Sequence, residues 1–315
     1  MTHTATIPVF FATDDRYAPA LGVALHSMLL HTDAALDIFV LINELTEENR
    51  ALLTATVAGR SRLTFVDMRE RIAPIADRLV LRDYYSATTY FRLFISELFP
   101  EFDKAIYLDC DIALHGDVAE LYATPLGDCL VAAVPEDVMA RIDVFGRYVE
   151  EVLAVPREEY FNAGVLVMNL AAFRRERILD RFVDMLAIKR YRVTQDEDYL
   201  NVLCYGRTVL LPYGWNMSPL ADEGCRPLLA HYKLDRKPWH YEGVHFGEDF
   251  WHYADETPYA EALHAGLAAY SEADRAHDRE GYASLVALAE EEMATEKIHP
   301  TDPRAKAHAM TGGVV

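Results

Sequence analysis

Short β-rich runs separated by helical patterns constrain this chain more than any other feature. Ile7–Thr13 (IPVFFAT), Leu36–Asn43 (LDIFVLIN), Arg62–Asp67 (RLTFVD), Lys104–Leu108 (KAIYL), Cys129–Val134 and Gly164–Asn169 have the β-branched and aromatic content of buried strands. Among them, Pro19–Leu30, a segment opened by Thr46 and running to Val57, and Thr88–Leu98 place apolar residues at helical spacing. Strands of this kind, alternating with helices, predict an α/β domain whose mostly parallel sheet is covered on both faces. Ligands in such sheets bind beyond the carboxyl ends of strands. After Trp251 the texture changes. Ala260–Ser271 and Tyr282–Met293 are rich in Ala, Leu and Glu, no strand candidate follows, and periodicity is lost from His299. The predicted organisation is a main domain over 1–252, a helical C-terminal extension over 253–298 and a flexible tail over 299–315.

Charge narrows the function. Asp and Glu number 50 against 30 Lys and Arg, for a net charge of −20. Such a surface repels phosphate polyanions and argues against a nucleic-acid partner, while leaving room for one phosphorylated metabolite in a local pocket. No apolar run approaches the roughly 20 residues of a membrane span. The start, Met1-Thr2-His3-Thr4, lacks the features of a signal peptide, and Cys110, Cys129, Cys204 and Cys225 form no C-x-x-C pair. The expectation is a cytoplasmic protein with reduced thiols and no transmembrane segment. Peripheral attachment at the inner membrane face has less support, because the acidic C-terminal helices lack a basic amphipathic face.

The strongest local signal is Tyr107-Leu108-Asp109-Cys110-Asp111-Ile112, where an apolar strand delivers two carboxylates to the sheet's carboxyl edge. In a continuing strand residues two apart share a face, so Asp109 and Asp111 can reach one hard cation. The string is weak by itself in so acidic a chain: Asp196 and Asp198 form another, and a solvated acidic turn is the ordinary alternative. Haloacid-dehalogenase-type phosphatases also end a strand in D-x-D, but near the start of their domain. Here three strand candidates precede the motif and Ile-Ala-Leu follows it. Downstream, His231 stands six residues before Lys237. Two carboxylates and an imidazole leave room for diphosphate oxygens in an octahedral shell, which suits Mn²⁺ and, less comfortably, Mg²⁺.

A series of segments, in order, resembles the family-eight retaining glycosyltransferases, the group containing bacterial lipopolysaccharide galactosyl- and glucosyltransferases and glycogenin. The segments are Phe11-Ala12-Thr13-Asp14-Asp15-Arg16-Tyr17, Tyr90-Phe91-Arg92-Leu93, Tyr107-Leu108-Asp109-Cys110-Asp111 and Tyr160-Phe161-Asn162-Ala163-Gly164-Val165. Asp196-Glu197-Asp198-Tyr199-Leu200-Asn201 and His231-Tyr232 with Lys237-Pro238-Trp239 complete it. The resemblance spans roughly residues 7–250. It implies a GT-A fold, Rossmann-like with a mostly parallel mixed sheet, a UDP-sugar donor (UDP-glucose or UDP-galactose), Mn²⁺, and a saccharide or glycolipid acceptor.

Carried over by residue, the resemblance implies a donor site of Ala12, Asp14, Tyr17, Arg92, Asn162, Gly164, Asp196 and Lys237. Asp14 would accept from the uracil N–H while Tyr17 packs on the ring. Arg92 would meet the donor sugar and the diphosphate, Asn162 and Asp196 the sugar hydroxyls, and Lys237 the leaving diphosphate, with Gly164 allowing close backbone approach. Asp109, Asp111 and His231 would hold the metal, and Glu197, Asp196, Asp198 and Arg92 are the candidate catalytic residues. Without the resemblance, Asp14 reads as a helix N-cap, Arg92 as a surface helix residue, Asn162 as a turn residue and Lys237 as a loop lysine.

Two departures stand out. Glu197 replaces the Gln of the common D-Q-D pattern, and Leu234 stands where H-x-x-G-x-x-K has Gly. A carboxylate at 197 could attack the anomeric carbon or stabilise its charge, so double displacement and front-face reaction both stay open. On a helix Glu197 and Asp198 point about 100° apart, so at most one faces the sugar well. A catalytically degenerate sugar-nucleotide-binding protein is the competing reading.

Overall fold

Each predicted apolar run forms a strand, but the one expected from Gly164 begins at Phe161, which puts Asn162 in the strand rather than in a turn before it, and the one expected over Cys129–Val134 runs Val131–Pro135. The computed structural model describes residues 6–81, 87–222 and 224–295. Its strands are β1 (Ile7–Thr13), β2 (Leu36–Ile42), β3 (Arg62–Asp67), β4 (Lys104–Leu108), β5 (Ile112–Leu114), β6 (Val131–Pro135), β7 (Phe161–Asn169), β8 (Thr208–Leu210) and β9 (Leu229–His231). Seven of them form one sheet in the order β3-β2-β1-β4-β7-β6-β8, and β5 pairs with β9 in a two-stranded ribbon. β7 runs antiparallel to both β4 and β6, and the other pairings of the large sheet are parallel. The sheet is thus mostly parallel but mixed, flanked by helices, in a GT-A-like arrangement. The three-residue strands β5, β8 and β9 are too short for side-chain alternation to announce them.

Alternate side chains of the central strands enter cores on opposite faces of the sheet. Phe10, Tyr107 and Leu166 join one, Val9, Ile106 and Val165 the other. Local chemistry sets the edges. Thr46 caps the helix Glu47–Val57 by accepting the Asn49 N–H at 3.3 Å. Asp15 accepts from the Thr46 N–H (2.9 Å) and Asn49 Nδ2 (2.7 Å), tying the turn after β1 to that cap.

The C-terminal region forms the helices Ala260–Ala269 and Glu272–Thr295. The longer one is no loose appendage: Leu285, Ala289 and Met293 join the core that contains Tyr148 and Phe145. The predicted boundary at 252 falls inside the helix Gly247–Ala254, whose Phe250 and Tyr253 belong to the second core. The last residues assigned to the extension, 296–298, and the predicted tail over 299–315 lie outside the described residues. Among the described residues no helix is long and apolar enough to cross a membrane.

Candidate active site

The carboxyl edge of the sheet carries the acidic pair, though not on a continuing strand. β4 stops at Leu108 and the chain turns through Asp109-Cys110-Asp111 into β5. Both ends of the turn are held: the Asp109 N–H donates to the Gly164 carbonyl (2.8 Å) and the Tyr232 N–H to the Asp111 carbonyl (2.9 Å). Cys110 between them is buried and donates to the Ala12 carbonyl at 3.0 Å, and all three residues of the turn line the cleft. β9 pairs with β5 so that its last residue, His231, lies opposite Ile112. His231 Nε2 is 3.2 Å from Asp111 Oδ1 and 3.8 Å from Asp109 Oδ2. Ligand atoms of these three residues lie within 4.8 Å of one another, which makes them a candidate metal site.

Gly164 explains why they can converge. A Cβ there would lie 2.4 Å from His231 Cε1 and 2.6 Å from Asp109 Oδ2. The space left by the missing side chain is taken by the candidate ligands, a different use of the glycine from the backbone approach to sugar that the resemblance implied.

A chain of amides orients the histidine ring. Asn162 Nδ2 faces two carboxylate oxygens, Glu136 Oε2 at 2.7 Å and Glu197 Oε2 at 3.1 Å, which only a donor tolerates. Asn162 Oδ1 therefore accepts, from the Gly164 N–H (2.9 Å) and Asn216 Nδ2 (2.7 Å). That turns Asn216 Oδ1 toward His231 Nδ1, 2.8 Å away, so Nδ1 carries a proton and Nε2 is the ring nitrogen that faces the acidic pair. Asn162 lines the cleft, but its amide is committed to this relay.

Arg92 is buried rather than on a surface helix face. It donates to the Thr89 carbonyl (2.8 Å), the Ala163 carbonyl and Asp109 Oδ1 (3.1 Å), stacks 4.4 Å from the centroid of Tyr107, and pairs with Asp196 Oδ2 at 3.0 Å. Burial opposes its charge, but Asp109 and Asp196 outweigh burial and hold it protonated more firmly than usual. Burial also raises Asp196 to about 7, against the pull of Arg92. Lys237 is likewise buried, with its ammonium on Asp111 Oδ2 and on the Tyr232 carbonyl (2.5 Å). Burial disfavours ionised Asp111, yet the Lys237 ammonium beside it holds its carboxyl well below the usual range. The loop that returns Lys237 to Asp111 turns at Leu234, with φ 56°. This is the left-handed conformation that glycine adopts freely and that costs an L side chain about 1–2 kcal/mol. Leu234, where the resemblance led to the expectation of Gly, thus keeps a glycine-like backbone.

The neighbouring carboxylates of the Asp196–Cys204 helix part company. Gln195, just before it, has φ 58° and ψ −115°, and the turn sends Asp196 and Glu197 into the cleft. Glu197 Oε2 accepts from the Ala163 N–H at 2.8 Å as well as from Asn162. Burial first, then the charge of Glu136, pushes the Glu197 carboxyl well above its ordinary range. Asp198 is not brought to the cleft. It is buried behind it, accepting from Tyr148 (2.8 Å), Tyr160 (2.9 Å) and the Thr194 N–H (3.1 Å).

At the other end Asp14 and Tyr17 line the cleft with Ala12. Asp14 Oδ1 accepts from the Arg16 N–H (3.0 Å) and the Tyr17 N–H (3.1 Å) in the turn ahead of the helix Ala18–Leu30. The N-cap of that helix is Tyr17 and carries no side-chain cap, so Asp14 holds the turn on the cleft wall rather than capping the helix. Sequence reasoning missed Glu136 and Lys233. Glu136 follows β6 and accepts from Lys233 Nζ at 2.6 Å, and Lys233 also meets Asp137 Oδ1 at 2.8 Å. An acidic pair immediately after a buried strand, Pro135-Glu136-Asp137, was the available signal.

Residues 8–243, which hold every one of these side chains, match the family model of Glycosyl transferase family 8. The chain belongs to glycosyl transferase family 8. The relatives of this glycosyltransferase include a lipopolysaccharide 1,2-glucosyltransferase of Escherichia coli, 28% identical over 251 residues that cover 74% of this chain and 72% of the relative. Among solved structures, the galactosyltransferase LgtC in complex with donor and acceptor sugar analogs is 28% identical with a TM-score of 0.65, covering 80% of this chain and 96% of LgtC. The bifunctional glycosyltransferase WbbM is 28% identical with a TM-score of 0.73 and covers 85% of this chain, which spans 53% of the WbbM chain.

Proposed function

We propose that this family 8 glycosyltransferase moves a hexose, glucose or galactose, from UDP to a hydroxyl of a saccharide or glycolipid acceptor, with retention and with Mn²⁺ or Mg²⁺. The observation that carries the reading is the convergence of Asp109, Asp111 and His231 beside the buried cations Arg92 and Lys237. With Nδ1 turned to Asn216, Nε2 faces the two carboxylates as a ligand atom, so the donor set fits a divalent ion. When bound, such an ion supplies Lewis-acid charge to the diphosphate as the glycosyl bond breaks. Lys237 adds a buried ammonium for the leaving group, and Arg92 spans the gap from Asp109 to Asp196 on the sugar side. The names of the E. coli relative and of LgtC support a hexose donor and a saccharide acceptor.

The reading is tested by UDP release from UDP-glucose and UDP-galactose, expected only with Mn²⁺ or Mg²⁺ present. Titration by nucleotide without turnover would leave a sugar-nucleotide-binding protein, and release of inorganic phosphate a phosphatase. Asp14 and Tyr17 as a uracil pocket predict that UDP binds at least about tenfold more tightly than GDP, or about 1.4 kcal/mol, by calorimetry with Mn²⁺. Equal affinities would remove the base-reading role.

Glu197 is proposed as the carboxylate that faces the developing oxocarbenium charge, with Asp198 a buried strut behind it. Gln at 197 keeps the shape and can still accept from Ala163 and Asn162. Turnover of Glu197→Gln is expected to fall by at least about tenfold, or about 1.4 kcal/mol of barrier. Glu197 must be ionised to act, and its carboxyl titrates above the ordinary range. Wild-type kcat/KM should therefore rise with pH through that titration, and the limb should vanish in Glu197→Gln. A neutral substitution with an unchanged profile would take Glu197 out of the chemistry.

A further inference from the structure

The helix Glu272–Thr295 lies beyond the part of the chain that matches the family model, which ends at residue 243. At 1.5 Å per residue it is about 36 Å long, and buried carboxylates pin it near both ends. Asp278 accepts from Tyr241 (2.5 Å) and Tyr270 (2.7 Å), with Tyr241 on the loop that carries Lys237. Glu292 accepts from Lys189 (2.5 Å) and Arg192 (2.5 Å), just ahead of the turn that presents Glu197. Between the pins, Leu285 lines the same cleft as Glu197 and Glu136, together with Val138, Met139 and Phe145. Tyr282, on the same helix, meets the Phe145 ring edge-on at 6.2 Å between centroids. Because Glu136 accepts the Val138 N–H at 3.1 Å and shares the Asn162 amide with Glu197, this apolar patch adjoins those two carboxylates.

We propose that the C-terminal helix forms one wall of the acceptor subsite, and that Leu285, backed by Phe145, selects acceptors by packing against the C–H face of a pyranose ring. The inference rests on the glycosyl-transfer reading, since it assigns the acceptor of that reaction. An apolar wall offers no partner to a hydroxyl-bearing or charged surface, so burying such a surface there is costly. A pyranose offers one face made largely of C–H groups, and adjacent carboxylates to meet the hydroxyls at its rim are in place in Glu136 and Glu197. Four side chains make a patch of ring size, whereas an alkyl chain would need an extended apolar track. Because Leu285 lies outside the family-matched region while Val138, Met139 and Phe145 lie inside it, acceptor choice here depends in part on a segment beyond that match.

The test uses the full chain, UDP-glucose and UDP-galactose with Mn²⁺, and methyl and octyl β-D-glucopyranoside and β-D-galactopyranoside as acceptors. Leu285→Gln is expected to raise the acceptor KM by about tenfold or more while the donor KM moves by less than about twofold. Leu285→Met should restore the acceptor KM to within about threefold of wild type, which guards against a merely unfolded Gln variant. An acceptor KM indifferent to Leu285, or donor and acceptor KM rising together, overturns the proposal. So does a preference of about tenfold or more for octyl over methyl glycosides that Leu285→Gln removes, because the wall then holds an alkyl chain. Donor cleavage without transfer to any pyranoside overturns the acceptor inference and leaves the functional reading standing. Failure to cleave either UDP-hexose overturns both.

Discussion

Asp111→Asn is expected to lower metal-dependent transfer by about three orders of magnitude, equivalent to about 4 kcal/mol of barrier. Asp109→Asn should do the same, because each carboxylate contributes charge as well as a ligand atom. The two variants should differ in stability. Asp111 is the carboxylate on the buried Lys237 ammonium, and its loss leaves that charge without its counterion, at a cost of about 3–5 kcal/mol. Arg92 keeps Asp196 when Asp109 is neutralised, so the Asp109 variant should melt nearer the wild type. The pH dependence has the matching sign. Asp111 is held below the ordinary carboxylate range in the folded protein, so its contribution is complete above the unfolded-state pKa of about 4 and is lost as pH falls through the folded value. Asp111→Asn should remove that part of the acid sensitivity. Undiminished Mn²⁺-dependent turnover at saturating donor in either variant would remove the metal reading, and equal melting temperatures would remove the Lys237 argument.

Gly164→Ala is expected to weaken Mn²⁺ binding in the UDP complex by about a hundredfold, or about 2.8 kcal/mol. The substitution adds one methyl group where His231 Cε1 and Asp109 Oδ2 already stand, 2.4 and 2.6 Å from the new atom. Neither neighbour can swing away cheaply. His231 is held by Asn216, and Asp109 Oδ1 accepts from Tyr107 at 2.9 Å and Arg92 at 3.1 Å. Gly164 is a β7 residue without a positive φ, so alanine brings no backbone strain and the effect should fall on the two ligands and on Asn162 Oδ1, 3.0 Å from the new atom. Calorimetric titration of Mn²⁺ into the UDP complex, with a thermal melt alongside, is the measurement. Wild-type affinity in a folded Gly164→Ala protein would mean that His231 and Asp109 need not converge at this point.

The sequence by itself determined the strands that are long enough to show their composition, the acidic pair after β4, and the cap at Thr46. Each of these is written in neighbouring residues: three or more apolar positions in a short strand, two carboxylates across one residue, a hydroxyl three residues before the N–H it accepts. The direction of β7 was not legible, because Phe161–Asn169 has the same apolar content whichever way it runs, and its pairing with β4 is decided by the path of the chain between them. Nor could spacing say that Glu197 enters the cleft while Asp198 turns inward to Tyr148 and Tyr160. Adjacent helix residues differ by about 100° in direction, and which one meets the sugar depends on how Gln195 starts the helix and what packs behind it. The relay from Glu136 through Asn162 and Asn216 to His231 joins residues from β7, from the segments that follow β6 and β8, and from β9, and exists only once those elements are assembled. Local pattern is enough to name groups that can bind a cation, but which ring nitrogen faces the acidic pair is a property of the packed neighbours, and only the tertiary structure decided it.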